Sequence, residues 1–134
     1  MDRKIISNFK IAIFDLDGTL WDCKKIFDDV IEILQSLKNN GIKIYIASYN
    51  LEADICCDKL SIKEYTDGIF FGRCISKIGM VKIIMEKNKG IKSDDIIYFD
   101  DDANNITNVN KFTGVNAQLI NRNGLSWECI SNIY

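Results

Sequence analysis

Two aspartates, Asp15 and Asp17, close a short apolar run and stand just ahead of Gly18 and Thr19. The run Lys10–Phe14 has the continuous apolar character of a buried strand. Unpaired buried charge is costly, so packing does not account for two carboxylates at a strand end. Gly18 permits a sharp turn and Thr19 adds a hydroxyl. Two readings stand side by side: an ordinary Asp-Gly turn, and an oxygen-donor site for a hard cation such as Mg²⁺. A second acidic group, Asp100-Asp101-Asp102, follows the apolar run Ile96-Ile97-Tyr98-Phe99. Three successive aspartates repel one another unless a cation or solvent takes up the charge; a solvated first helical turn is the alternative. Ser48 follows the β-branched run Ile42–Ala47, where a plain cap is its ordinary role. Lys77 stands at the start of a helical pattern, where a cation opposes the helix dipole and so calls for another reason to be there.

These residues need elements to hold them, and the hydropathy pattern supplies candidates. Apolar spacing predicts helices over Lys24–Asn40, Leu51–Leu60, Lys77–Lys89, Ala103–Phe112 and Leu125–Ile133. Strands are predicted at Lys10–Phe14, Ile42–Ala47, Gly68–Gly72, Ile96–Phe99 and Val115–Ile120. Asn50 and Ser76 are placed to cap the helices that follow them. Strand and helix alternate throughout, which argues for an α/β fold: a parallel sheet with helices on both faces. In such a sheet ligands bind at the carboxyl ends of strands. Asp15/Asp17, Ser48-Tyr49-Asn50 and Asp100-Asp101-Asp102 all fall there.

Composition narrows the chemistry. At 134 residues the chain is read as one domain, 1–134. It contains no histidine, which excludes His-based triads, His metal sites and a His general base. Acid–base work falls to Asp, Glu, Lys, Tyr or Cys. The five cysteines are odd in number and form no Cys-x-x-Cys, so neither a disulfide framework nor a zinc site is expected. Cys56 and Cys57 read as helix residues, at least one of them buried. A net charge of −2, from 17 basic and 19 acidic residues, lacks the basic field of a nucleic-acid binder. Met1–Ser7 is too poor in apolar residues for a signal peptide, and no run reaches the ~18 apolar residues of a membrane span. A cytoplasmic, reducing location with no membrane partner is expected.

Asp15-Leu16-Asp17-Gly18-Thr19-Leu20 matches the first motif of the haloacid dehalogenase superfamily, Asp-x-Asp-x-Thr-(Leu/Val), with an apolar strand ahead of it. Ser48, Lys77 and the pair Asp100-Asp101 stand where its second, third and fourth motifs are required, in order. The C-terminal half is more specific: Phe99-Asp100-Asp101-Asp102-Ala103-Asn104-Asn105-Ile106, Gly114-Val115 and Asn123-Gly124-Leu125, together with Trp21, resemble the capless magnesium-dependent acid phosphatases. Three departures stand out. Gly18 replaces a frequent aromatic residue, the segment after Trp21 is short, and Tyr49 stands where an arginine often grips substrate.

The resemblance implies a three-layer Rossmann-like fold without a cap domain, and Mg²⁺-dependent hydrolysis of phosphate monoesters. It casts Asp15 as nucleophile and metal ligand. Asp17 becomes acid and base through its side chain, with its main-chain carbonyl toward the metal. Ser48 and Lys77 hold the phosphoryl group, and Tyr49 lies on the substrate side. Tyr49 and Trp21 either stack on a ring or sugar or simply pack. Asp101 is implied as the direct ligand, with Asp100 behind it or as the alternative ligand. Implied substrates are small phosphate esters, including phosphosugars, and phosphoproteins, including phosphotyrosine. The competing readings are a phosphatase of nucleic-acid ends and a non-catalytic regulatory module of the same fold. A monomer or weak homo-oligomer is expected.

Overall fold

The computed structural model describes residues 8–131. Five strands, β1 (Ile11–Phe14), β2 (Lys43–Ser48), β3 (Gly68–Phe71), β4 (Ile96–Asp100) and β5 (Asn116–Leu119), form one parallel sheet in the order β3-β2-β1-β4-β5. Parallel strands need crossovers. These are supplied by α1 (Val30–Asn39), α2 (Ala53–Lys59), α3 (Lys77–Lys87) and α4 (Ala103–Thr113), and α5 (Trp127–Ser131) follows β5. The chain winds outward through β2 and β3, then returns to place β4 on the other side of β1. That reversal opens a crevice at the carboxyl ends of β1 and β4, the expected ligand position in such sheets.

The continuous apolar run of β1 follows from its place at the centre. All four of its residues are fully buried, and alternate side chains serve opposite faces. Ala12 and Phe14 pack with Val30, Ile33 and Leu34 of α1, Ala53 and Cys57 of α2, and Trp127 and Ile130 of α5. Ile11 and Ile13 pack with Met80, Val81 and Ile84 of α3 and Val109 of α4. The three layers are thus helices, sheet, helices. Phe14 stacks on Phe99 of β4 at 5.0 Å between ring centroids, tying the two central strands together just below the crevice. Cys57 is buried and Cys56 partly so; both are free thiols.

The first helix differs from the periodicity-based expectation. It begins at Val30, not Lys24. The Asp22 carboxylate accepts the N–H groups of Lys24 and Lys25 at 2.8 and 2.7 Å, and Cys23 takes a left-handed φ of 72°. Trp21 makes isolated bridges to Asp17 and Ile26. Ile26 and Phe27 still pack on the core, but from a loop. Asn50 likewise turns the chain before α2 instead of capping it: its Oδ1 accepts the N–H of Glu52 at 2.8 Å. Ser76 does cap α3, accepting from the N–H of Gly79. The last helix begins at Trp127, whose N–H donates to the Asp29 carboxylate. The expected extension to Ile133, and the reading of Met1–Ser7, lie outside the described residues. Among the described residues no folded cap is inserted between the strands, and no helix is long and apolar enough to cross a membrane.

Candidate active site

Asp15 follows β1 and Asp100 ends β4, so strand pairing alone brings two carboxylates to one edge of the sheet. Lys77, the first residue of α3, reaches between them. Its Nζ lies 2.7 Å from Asp15 Oδ1 and 3.1 Å from Asp100 Oδ2. The lysine is only 2% exposed, Asp15 7% and Asp100 1%. This is the reason for a cation at a helix start: it serves carboxylates from two strands. Thr19, fully buried, donates to Asp15 Oδ2 at 3.3 Å.

Asp100 is held by several donors. Besides Lys77, Oδ2 receives the Tyr98 hydroxyl and the Asn105 amide at 3.0 Å, and Oδ1 receives the N–H of Asp102 at 3.0 Å. Asp101 is exposed, and its carboxylate lies over Gly18, close enough that a Cβ there would fall 2.1 Å from Oδ2. Gly18 also has a left-handed φ of 80°. One carboxylate oxygen each from Asp15, Asp100 and Asp101 lies within 4.8 Å of the others. Three oxygen donors of this kind suit a hard divalent cation.

The electrostatics express the same imbalance of three carboxyls against one ammonium. Burial pushes Asp15 up to about 8, with Lys77 opposing and Asp100 reinforcing the shift. Burial also raises Asp101, next to Asp100. Asp100 goes the other way: burial works against its charge, but Lys77, the Tyr98 hydroxyl and the Asp102 N–H together hold it below the ordinary carboxylate value. For Lys77, burial is outweighed by Asp15 and Asp100, which keep the ammonium above its usual value.

The remaining predicted residues are nearby but engaged differently. Asp17 is not part of the acidic group. Its carboxylate accepts from the Trp21 indole N–H at 2.8 Å and from the Asn50 amide at 3.3 Å. Ser48, 1% exposed at the end of β2, accepts from the N–H of Asn50 at 3.0 Å. Tyr49 accepts the N–H of Lys77 on its hydroxyl at 2.9 Å, and the Lys77 ammonium stands 5.1 Å from its ring centre. Tyr49 therefore anchors the start of α3 as well as facing the opening. Sequence reasoning missed Tyr98, Asn105 and the polar roles of Trp21 and Asn50. Tyr98 carried a signal in its spacing, two residues before Asp100 on one strand and so on the same face, while Trp21 and Asn105 stood among the resemblance residues without an assigned polar role.

The family model for acid phosphatases matches residues 24–132. The chain belongs to the acid phosphatase family. It is a phosphatase-type hydrolase with the haloacid dehalogenase fold. Asp15 and Asp17 precede the matched span, so their place in the site comes from the first motif and the coordinates. A haloacid dehalogenase-like hydrolase of Streptococcus pneumoniae superposes with a TM-score of 0.74 at 13% identity, covering 95% of this phosphatase and 91% of that chain. The N-terminal part of a Bacteroides fragilis protein, containing a phosphatase domain complexed with Mg, gives 0.71 at 18% identity, covering 94% and 40%. The L-2-haloacid dehalogenase of Xanthobacter autotrophicus gives 0.68 at 10% identity, covering 90% and 80%. No curated protein matches the phosphatase.

Proposed function

We propose that the phosphatase hydrolyses phosphate monoesters at an open, capless site through a phosphoryl group carried on Asp15, and that it needs Mg²⁺. The observation that carries this reading is the buried Lys77 bridge between Asp15 and Asp100, with Asp101 beside it. An ion pair kept only for stability gains little from such burial, whereas a nucleophilic carboxylate needs a fixed cation beside an incoming anion.

Asp15, Asp101 and the main-chain carbonyl of Asp17 would hold the metal. Asp101 is the better direct ligand of the acidic pair, because both oxygens of Asp100 already accept hydrogen bonds. When bound, Mg²⁺ offsets the repulsion between carboxylate and phosphate and polarises the phosphoryl oxygens. An Asp15 oxygen attacks phosphorus, the bond to the leaving oxygen breaks, and Asp17 donates a proton to that oxygen. Asp17 then takes a proton from the water that releases phosphate from Asp15. Lys77 Nζ and the Ser48 hydroxyl supply hydrogens to the phosphoryl oxygens. Substrates are small phosphate esters or phosphoproteins.

The test is turnover of 4-nitrophenyl phosphate with Mg²⁺ and with a chelator, together with hydroxylamine trapping of the phosphorylated protein. Mg²⁺-dependent turnover with hydroxamate formed at Asp15 is expected. Full activity in chelator would overturn the metal requirement, and a trapped group elsewhere would overturn the nucleophile.

Two further outcomes follow from the site. Gly18→Ala places a methyl group against Asp101 and strains the left-handed turn by about 1–2 kcal/mol. It is expected to lower the melting temperature and weaken Mg²⁺ binding about tenfold or more; calorimetric titration checks this, and unchanged Mg²⁺ affinity would remove Asp101 from the metal site. The second concerns pH. Asp15 sits at about 8 in the folded chain against an ordinary 3.8, and Asp101 is raised too. The folded state therefore keeps protons that the unfolded chain has lost, and stability falls as pH rises across that window. The depressed Asp100 acts below the window and the raised Lys77 above it. Metal-free protein is expected to melt at a lower temperature at pH 8 than at pH 5.5, with Mg²⁺ closing the gap at pH 8. Higher metal-free stability at pH 8 would contradict this.

A further inference from the structure

Asp17 stands outside the group of three crevice carboxylates formed by Asp15, Asp100 and Asp101. Two neutral donors hold its side chain. The Trp21 indole N–H meets Oδ1 at 2.8 Å, and the Asn50 amide spans both oxygens at 3.3 Å. The Cys23 thiol is a further side-chain partner of this carboxylate.

Both donors are themselves fixed. The Trp21 carbonyl accepts the N–H of Gly18 at 2.8 Å, its backbone bridges to Asp17 and Ile26, and its ring packs partly into the core. The Asn50 side-chain oxygen accepts the N–H of Glu52, which turns its NH₂ toward Asp17. The Asn50 main-chain N–H donates to Ser48 Oγ at 3.0 Å. One residue therefore ties the serine hydroxyl to the position of Asp17. Neither role is visible in sequence, where Trp21 is a packing or stacking residue and Asn50 a helix cap.

We propose that Trp21 and Asn50 are positioning residues that hold the Asp17 carboxyl in place to give its proton to the leaving group. The proposal rests on the reading of Asp17 as acid and base. As the bond from phosphorus to the leaving oxygen breaks, its electron pair stays on that oxygen and takes the proton from Asp17. Fixing the donor matters only when the leaving oxygen needs that proton. An alkoxide does; a dinitrophenolate leaves unaided.

The experiment measures kcat/KM for ethyl phosphate and for 2,4-dinitrophenyl phosphate, with Mg²⁺, in wild type, Trp21→Phe, Asn50→Leu and Asp17→Asn. This ratio reports the phosphoryl-transfer step to Asp15 and is blind to the later hydrolysis. Trp21→Phe and Asn50→Leu are each expected to lose about 10- to 100-fold on ethyl phosphate, the size of a hydrogen bond to a charged group, and less than about threefold on the dinitrophenyl ester. Asp17→Asn should show the same selectivity, more strongly. Equal losses on both esters in the clamp variants, with Asp17→Asn still selective, would overturn the clamp and leave the acid–base reading standing. Equal losses in Asp17→Asn would overturn that reading itself. Should Trp21→Phe fail to fold, Asn50→Leu decides the question alone.

Discussion

Asp15→Asn is expected to lower turnover of 4-nitrophenyl phosphate by at least about 10⁴-fold, the scale of losing a nucleophile, while the protein stays folded. The substitution keeps an oxygen for Lys77 Nζ, now 2.7 Å from Asp15 Oδ1. The new amide can donate to Thr19 Oγ1, which today donates to Asp15. Packing in a site that is 7% exposed is therefore preserved. What is lost is an oxygen able to form a bond to phosphorus. The substitution also removes a carboxyl whose charge burial opposes, so the melting temperature of the metal-free variant at pH 8 should not fall. Circular dichroism melts and initial rates check the pair of outcomes. A folded variant with one per cent of wild-type activity or more would mean that Asp15 holds metal or substrate and is not the attacking group.

Lys77→Met is the substitution with the largest expected effect on stability. It leaves Asp15 and Asp100 facing each other without the cation between them. Removing one partner of a buried ion pair costs about 3–5 kcal/mol, equivalent to a melting temperature lower by roughly 10–20 °C for a domain of this size. The loss depends on pH with a definite sign. Asp15 is raised already, and without Lys77 it rises further, so the variant gains protons in the folded state as pH falls. The deficit should be greatest at pH 8 and shrink toward pH 5. Mg²⁺ should recover part of the stability and none of the wild-type rate, since Lys77 is also assigned to the phosphoryl oxygens. Equal melting temperatures for variant and wild type at pH 8 would show that the lysine does not compensate these charges.

The sheet is readable from the chain because a parallel sheet covered on both faces demands continuous apolar strands. Ile11–Phe14 and Ile96–Phe99 supply such runs, and each stops at an aspartate. Central strands that end in carboxylates leave little choice about where chemistry sits. The family motifs then point to Ser48 and Lys77 across long gaps in sequence. Lys77 is 62 residues from Asp15 and 23 from Asp100. Reading fails where burial and helical hydrogen bonding part company. Ile26 and Phe27 pack partly against the core, yet the Phe27 N–H donates to the Leu20 carbonyl and Cys23 takes a left-handed φ of 72°, so the backbone there is not helical.

Residue types and order thus settle the α/β class, the edge of the sheet that carries the site and the acidic character of that site. The division of labour within it belongs to the folded molecule. Asp100 and Asp101 are neighbours in the chain and indistinguishable by type, but β4 carries Asp100 inward to Tyr98, Asn105 and Lys77, while Asp101 leaves the strand and comes to lie over Gly18. Asp15 and Asp17 separate in the same way, one onto a lysine and the other onto an indole and an amide. A carboxylate's behaviour follows from the donors and charges within a few ångströms of it, and those arrive from strands and loops that only the packing of the whole sheet brings together.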